Sequence, residues 1–307
     1  MVVFAVILME TMDGAPEFPL TLTPPETMLS GVRVVSIATN VPGPVAVARL
    51  VALGASALKV EPPGGDYLAF AARAWYDALR AGQDRLTLDL KRADERELLF
   101  EELAGADVLL TSHRPSALER MGLSWGKVHA RAPRTCMVRI VGHDGEAADR
   151  PGHDLTYQAE AGLLTPPMLP TSLFVDLASG EAAATTACAL LILRARTGEA
   201  EVRDVVMLTQ AHELAAPRWH GLSATGGLLG GALPGYGVYA TRHGFVAVAA
   251  LEPAFVQRLA GGLGLDELTG AALARAFSAR SASEWAAWGR ANDVPIAVVA
   301  TPAASGS

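Results

Sequence analysis

A histidine and several carboxylates are the residues of this sequence best suited to moving protons. His153 and Asp154 stand in PGHDLTYQAEAG, directly after the turn Pro151-Gly152. That turn sets both at a loop-to-helix junction. There an aspartate ordinarily caps the helix, and a histidine is ordinarily half-buried and satisfied by backbone. Asp176, in LFVDLASGEAAA, ends an apolar run and opens a long helical pattern, again an N-cap position. The same place lets helix N-terminal amides meet a developing oxyanion. Glu252, in VAVAALEPAF, ends a strand pattern just before Pro253, which suits the first helical position. Arg114 and Arg120, in TSHRPSALERMGL, read as a solvated face that could also hold phosphates.

No commoner signature competes. Walker A, H-E-x-x-H and G-x-S-x-G patterns are absent. The first turn reads ATNVPGPVAVA, without the G-x-G-x-x-G that lets backbone approach a pyrophosphate, which argues against a bound dinucleotide. Cys136 and Cys188 lie 52 positions apart in apolar runs. They support neither a disulfide framework nor a zinc site, so no metal is expected, and a reducing, cytoplasmic setting fits.

The elements that must position these groups change character along the chain. Val32 to Ile37, Ala57 to Val60, Asp107 to Leu110 and Cys136 to Val141 read as buried strands. Helical patterns fall between them at Pro42 to Leu53, Asp94 to Leu103, Ser116 to Met121 and Ser124 to Ala132. This alternation predicts an α/β fold, a Rossmann-like parallel sheet flanked by helices. A long apolar helix follows Asp176 as far as Arg194, and Val202 to Met207 forms another strand. Gly221 to Thr241 carries seven glycines and reads as loop. A hairpin around Arg242-His243-Gly244 and three helical patterns then predict a smaller α+β domain. The expected organisation is an extension over 1–27, a large domain over 28–205, a linker over 206–230 and a small domain over 231–307.

Composition bounds the function classes. The chain has 307 residues, 50% hydrophobic and 19% charged, which excludes a disordered chain. Net charge is −7, with no clustered basic stretch, so no nucleic-acid surface is expected. The longest strongly apolar run, Ala182 to Leu193, is 12 residues, right for a buried helix and short for a bilayer. VVFAVILM near the start imitates a signal core, but the first basic residue is Arg33, so an extension before Met28 is the better expectation. Whether Met1 or Met28 is the start stays open.

Taken in order, several segments resemble one family, the family III CoA-transferases, which include the 2-methylacyl-CoA racemases. They are LSGVRVVSIATNVPGPVAVARLVALGASALKVEPPGGD, LTLDLK, ADVLLTSHRPSALERMGL, GHDLTYQAEAGL, VDLASGEAAATTACALLILRARTGEAEV and YATRHGFVAVAALEPAF. Together they run from about Leu29 to Val299. The resemblance implies an acyl-CoA enzyme with a coenzyme A thioester as substrate, no resident cofactor and an interlocked homodimer. It implies that Asp176, 21 residues before the Thr197-Gly198 turn, is either a nucleophile passing through an aspartyl thioester or one of two proton-transfer groups. In the racemase branch the second group is His153, and Glu252 orients it or shapes the cavity. The trio favours that branch: 1,1-proton transfer at the α carbon, with enolate support from amides at the start of the helix after Asp176.

Several positions depart from the family pattern. Pro62 follows Glu61 where a basic residue is usual, and Asp84 stands where a lysine precedes L-x-L-D-L-K. Arg85, Arg114 and Arg120 are then the expected phosphate-binding cations. His143 in VGHDG replaces an aromatic residue. The loop between His153 and Asp176 is short, and ATPAASGS stands where the family continues back to its first domain. A shortened member is therefore expected, still a homodimer but with its interlocking in doubt. Two alternatives remain: a CoA transferase using Asp176, and a non-catalytic relic that binds an acyl-CoA or a partner protein.

Overall fold

The structure, a computed structural model, describes residues 28–300. The extension over 1–27 and nearly all of ATPAASGS lie outside the described residues. The chain divides into two compact units between Ala215 and Ala216.

The first unit is built on short, β-branched and leucine-rich strands separated by helices. In chain order these are β1 (Arg33–Ser36), α1 (Pro42–Ala52), β2 (Ser56–Glu61), α2 (Tyr67–Ala71), α3 (Arg73–Leu79) and β3 (Asp84–Thr87). Then come α4 (Ala93–Ala104), β4 (Val108–Thr111), α5 (Pro115–Arg120), α6 (Trp125–Arg131) and β5 (Cys136–Val141). The unit ends with α7 (Asp154–Ala161), α8 (Phe174–Thr197), β6 (Val202–Val206) and α9 (Met207–Trp219), the last of which crosses the boundary. The six strands form one parallel sheet in the order β3-β2-β1-β4-β5-β6. Alternate residues of the central strands feed two cores. Val34, Leu110 and Val138 join α1 and α8 on one face, while Val35, Leu109 and Met137 join α4 and α6 on the other. Burial on both faces explains why these strands read as continuous apolar runs.

The second unit holds β7 (Tyr236–Ala240), β8 (Phe245–Ala249), α10 (Pro253–Leu263), α11 (Gly270–Phe277), α12 (Ala282–Ala291) and β9 (Ile296–Val298). Its three strands are antiparallel, in the order β7-β8-β9. The expected hairpin is present, and Gly244 turns it with φ +85°. Phe277 and Trp285 meet edge-to-face at 5.0 Å in the core.

The structure corrects the sequence reading in several places. Residues 207–219, read as the start of a linker, form α9, because Met207, Ala211 and Ala215 recur every four residues and bury on the sheet. Asp84–Thr87 is an edge strand, missed because three of its four residues are exposed. The short helices α2 and α3 were missed too. The apolar run over Ala182 to Leu193 is part of the 24-residue α8, which is long and apolar enough to cross a bilayer by length and composition. Its small residues Ser179, Gly180, Ala183, Ala184 and Ala187 are buried, and it packs against α1 and β5.

Gly180 sets that close crossing. A Cβ there would lie 2.6 Å from Val45 Cγ1 and 2.9 Å from the Pro42 carbonyl oxygen. Gly180→Ala is expected to destabilise the fold by about 1–2 kcal/mol, overpacking outweighing the gain in helix propensity. A lower urea midpoint with an unchanged slope is the measurement that checks it.

Candidate functional site

The carboxyl ends of the strands open into one cleft at the point where the strand order reverses between β1 and β4. Thr39 and Asn40 enter from the end of β1, Ser112 and Arg114 from the end of β4, and Gly142 from the end of β5. His153, Tyr157 and Asp176 complete the wall.

Asp154 fixes the geometry of this wall. It is the first residue of α7 and is buried. Oδ1 accepts the backbone N–H of Val175 at 2.8 Å and of Asp176 at 3.0 Å, and Oδ2 accepts Gln158 Nε2 at 2.5 Å. It therefore caps α8 across the fold, where the N-cap residue of α8, Leu173, provides no side-chain cap. The expectation that Asp154 and Asp176 each cap their own helix is corrected. His153 is the N-cap of α7, and Asp176 is the third residue of α8. His153 N–H donates to Thr156 Oγ1 at 3.0 Å, closing the start of α7 from the other side.

Asp176 pays for this arrangement electrostatically. Burial, and then the negative charge of Asp154, push its carboxyl up to about 7. A carboxyl in that range can take up and release a proton near neutral pH. Tyr157 is 3% exposed, and its hydroxyl is pushed up by burial and by the charge of Asp176.

The opposite wall is held from below. Asn40 has left-handed backbone, φ +66°, and its N–H donates to Asp66 Oδ1 at 3.0 Å. Asp66 Oδ2 accepts Lys59 Nζ at 2.7 Å, and Lys59 also donates to the Ala38 carbonyl at 3.1 Å. Lys59 and Asp66 are both fully buried, so the turn after β1 rests on an ion pair shielded from water.

The structure brings His153, Asp176 and Arg114 to one cleft. Arg120 lies at the exposed end of α5, where Nη1 donates to Ser116 Oγ at 3.2 Å, away from the cleft lining. Arg85 lies on the edge strand β3, 3.9 Å from Glu61 Oε2. Glu252 is the N-cap of α10 in the second unit, with Pro253 at the first helical position as expected. His143 is buried, 3.4 Å from Glu160 Oε2 and edge-on to Tyr157 at 5.5 Å. Sequence reasoning gave no role to Tyr157, Asn40 or Gly142, although Tyr157 stands inside the quoted G-H-D segment. Among the described residues, no cluster of three or more His, Cys, Asp or Glu could hold a metal ion.

The sequence pattern of CoA-transferase family III matches residues 29–305. The chain belongs to CoA-transferase family III. It is 34% identical to a probable fatty acyl-CoA transferase of Mycobacterium tuberculosis, over 62% of this chain and 53% of that one. It is 31% identical to human alpha-methylacyl-CoA racemase, over 78% of this chain and 66% of that one. The chain thus spans between about half and two thirds of these relatives' length. A crystal structure of a hypothetical protein from M. tuberculosis superposes with a TM-score of 0.78 at 28% identity, covering 89% of this chain and 86% of that chain. A Brucella suis protein of the CaiB/BaiF family superposes with a TM-score of 0.74 at 24% identity, over 90% and 84% of the two chains. Members of the family are acyl-CoA enzymes, racemases or CoA-transferases.

Two predictions follow from the Asp154–Asp176 pair. Asp154→Asn keeps an oxygen for the two α8 amides and removes the charge. The Asp176 carboxyl is expected to fall toward its ordinary range, read by carbon NMR titration, while Asp154→Ala is expected to destabilise by about 2–4 kcal/mol as the two amides lose their partner. The second concerns pH. With Asp176 at about 7 folded against an ordinary 3.8, the folded chain keeps a proton through this window that the unfolded chain has lost. Stability therefore falls as pH rises from about 4 to 7. Asp176→Asn is expected to gain about 1–2 kcal/mol over the parent at pH 8, after discounting for solvent in the cleft, and nothing at pH 4.

Proposed function

We propose that this protein transfers a proton at the α carbon of an acyl-CoA thioester, interconverting the epimers of a 2-methylacyl-CoA. The observation that carries the reading is Asp176. Its carboxyl is pushed up to about 7, on the wall of a cleft that His153 also lines. A thioester α-proton is weakly acidic, so its removal needs a positioned base and support for the enolate. Inversion needs two groups, one protonated and one not, serving opposite faces of the carbon. In one direction Asp176 takes the α-proton while His153 delivers one to the other face. In the reverse direction His153 is the base and Asp176 the acid. Arg114, on the cleft rim, is the cation in place for a phosphate of the coenzyme.

A second reading has its own support. Succinyl-CoA–D-citramalate CoA-transferase of Chloroflexus aurantiacus is 28% identical over 80% of this chain. In a transferase, the ionised Asp176 attacks the thioester carbonyl, giving a mixed anhydride and free coenzyme A thiolate. The thiolate then attacks the aspartyl carbonyl, which releases the donor carboxylate and leaves an aspartyl thioester. The acceptor carboxylate attacks that thioester, and the freed thiolate takes the acceptor's acyl carbon, restoring Asp176. The level near 7 favours the proton-transfer reading, because it leaves much of the carboxyl protonated and unreactive as a nucleophile at neutral pH.

Incubation with 2-methylacyl-CoA in heavy water, followed by NMR, separates the two. Proton transfer predicts deuterium at the α carbon and loss of optical purity, with Asp176→Ala and His153→Ala each lowering the rate at least about a hundredfold. Each direction needs the two groups to hold a single proton between them, so the rate should fall away at both acid and alkaline pH and show no plateau above 7. Exchange of coenzyme A into acyl acceptors without α-deuteration, abolished by Asp176→Ala and not by His153→Ala, would establish the transferase instead.

A further inference from the structure

The start of α8 was expected to support the enolate oxygen, and the structure removes most of that support. The backbone N–H groups of Val175 and Asp176 are taken by Asp154 Oδ1, and the N–H of Leu177 bonds the Leu173 carbonyl. Negative charge developing on a thioester oxygen in this cleft therefore needs a donor from another element. A donor that acts in the transition state must be aimed into the cleft and fixed before the substrate arrives.

Tyr157 lines the cleft and is fixed by packing. It projects from α7, one turn after His153, and its ring is buried against His143. Its hydroxyl ends between two glycines of the cleft wall. A Cβ on Gly142 would lie 2.1 Å from Tyr157 Oη, and a Cβ on Gly152 would lie 2.3 Å from it. Neither glycine has positive φ, so their small size serves this approach rather than a backbone conformation. Two chain segments, the end of β5 and the turn before α7, are thus hollowed around one oxygen atom.

We infer that Tyr157 is a catalytic residue whose hydroxyl donates a hydrogen bond to the thioester carbonyl oxygen as that oxygen becomes anionic. No covalent bond to the tyrosine forms, and its proton stays on Oη throughout. Burial and the neighbouring Asp176 charge keep the phenol protonated across the neutral range, so the donor is present wherever the acid–base pair works. The assignment rests on the acyl-CoA reading of the site and holds for either chemistry, since an enolate and a tetrahedral intermediate both place negative charge on this oxygen.

The test uses the full chain and Tyr157→Phe, which keeps the ring and removes only the hydroxyl. Turnover, followed as α-proton exchange or acyl transfer, should fall about a hundredfold with KM within about twofold. Two ligands separate this role from a structural one: a 2-methylacyl-CoA thioester, and the matching S-alkyl-CoA thioether, which lacks the carbonyl oxygen. The variant should bind the thioether as the parent does. Unchanged turnover, or equal weakening for thioester and thioether with a lowered melting temperature, would overturn the assignment. A parent chain that binds neither ligand would instead overturn the acyl-CoA reading and this assignment with it. Binding of both ligands without turnover by the parent leaves the thioester–thioether difference to decide: a thioester preference that Tyr157→Phe abolishes supports the contact, and its absence removes it.

Discussion

One buried carboxylate organises the cleft. Asp154 leads α7, yet its oxygens serve α8, accepting the amides of Val175 and Asp176, and they also hold Gln158. Without it, the 24-residue helix that carries Asp176 would start with the amides of Val175 and Asp176 unpaired. With it, the first residue of α7 caps α8, so His153 and Asp176 are held in register by a single side chain. Gln158 extends the clasp by donating to the Ser172 carbonyl at 3.3 Å, which ties the loop ahead of α8 to the same point.

The sheet supplies the other half of the constraint. The cleft forms where β1 and β4 send their following segments to opposite sides, and the turn after β1 is held without a glycine motif there. Asn40 in left-handed backbone, Asp66 beneath it and the buried Lys59 replace the conformational freedom of glycines with a fixed ion pair. Such a pair contributes geometry more than net stability, because desolvating two charges offsets much of their attraction. Tyr76 donates to Glu61 and so occupies a second buried acid beside the same lysine. The Thr39 N–H donates to Ser112 Oγ at 3.0 Å, linking the ends of β1 and β4 across the mouth of the cleft.

What was legible in the sequence follows from what leaves a local trace. The parallel sheet was visible because Val34, Leu58, Leu109 and Val138 lie in short runs buried on both faces. The edge strand at Asp84–Thr87 was not, because exposed edges carry polar residues and lack the pattern. The helix at Met207–Trp219 was obscured by the glycines that follow it and by Pro217 in its last turn. At the site, His153 and Asp176 were found through a family resemblance and through their places beside turns and helix starts. The long-range cap from Asp154 to Val175 spans 21 positions and has no sequence signature of its own. The glycines at 142 and 152 could have been a signal: the second directly precedes His153, and the structure gives each a reason in the hydroxyl of Tyr157.

The electrostatics of Asp176 resolve an apparent conflict. A carboxylate in the first turn of a helix should be stabilised by the helix dipole and by free amides, which would lower its affinity for a proton. Asp176 occupies such a place and is nevertheless pushed up to about 7. The reason is that the amides able to stabilise it already point at Asp154. Asp176 is left with the two unfavourable contributions, removal from water and a neighbouring negative charge, and without the favourable one. Asp154 and Asp176 thus divide the helix terminus between them: the first takes the hydrogen bonds, and the second keeps a proton within reach at neutral pH. The same division leaves a developing oxyanion short of helix amides, so a fixed hydroxyl from the facing helix becomes useful. A single cap therefore couples three properties of the cleft: the position of Asp176, its readiness to exchange a proton, and the need for a donor such as Tyr157.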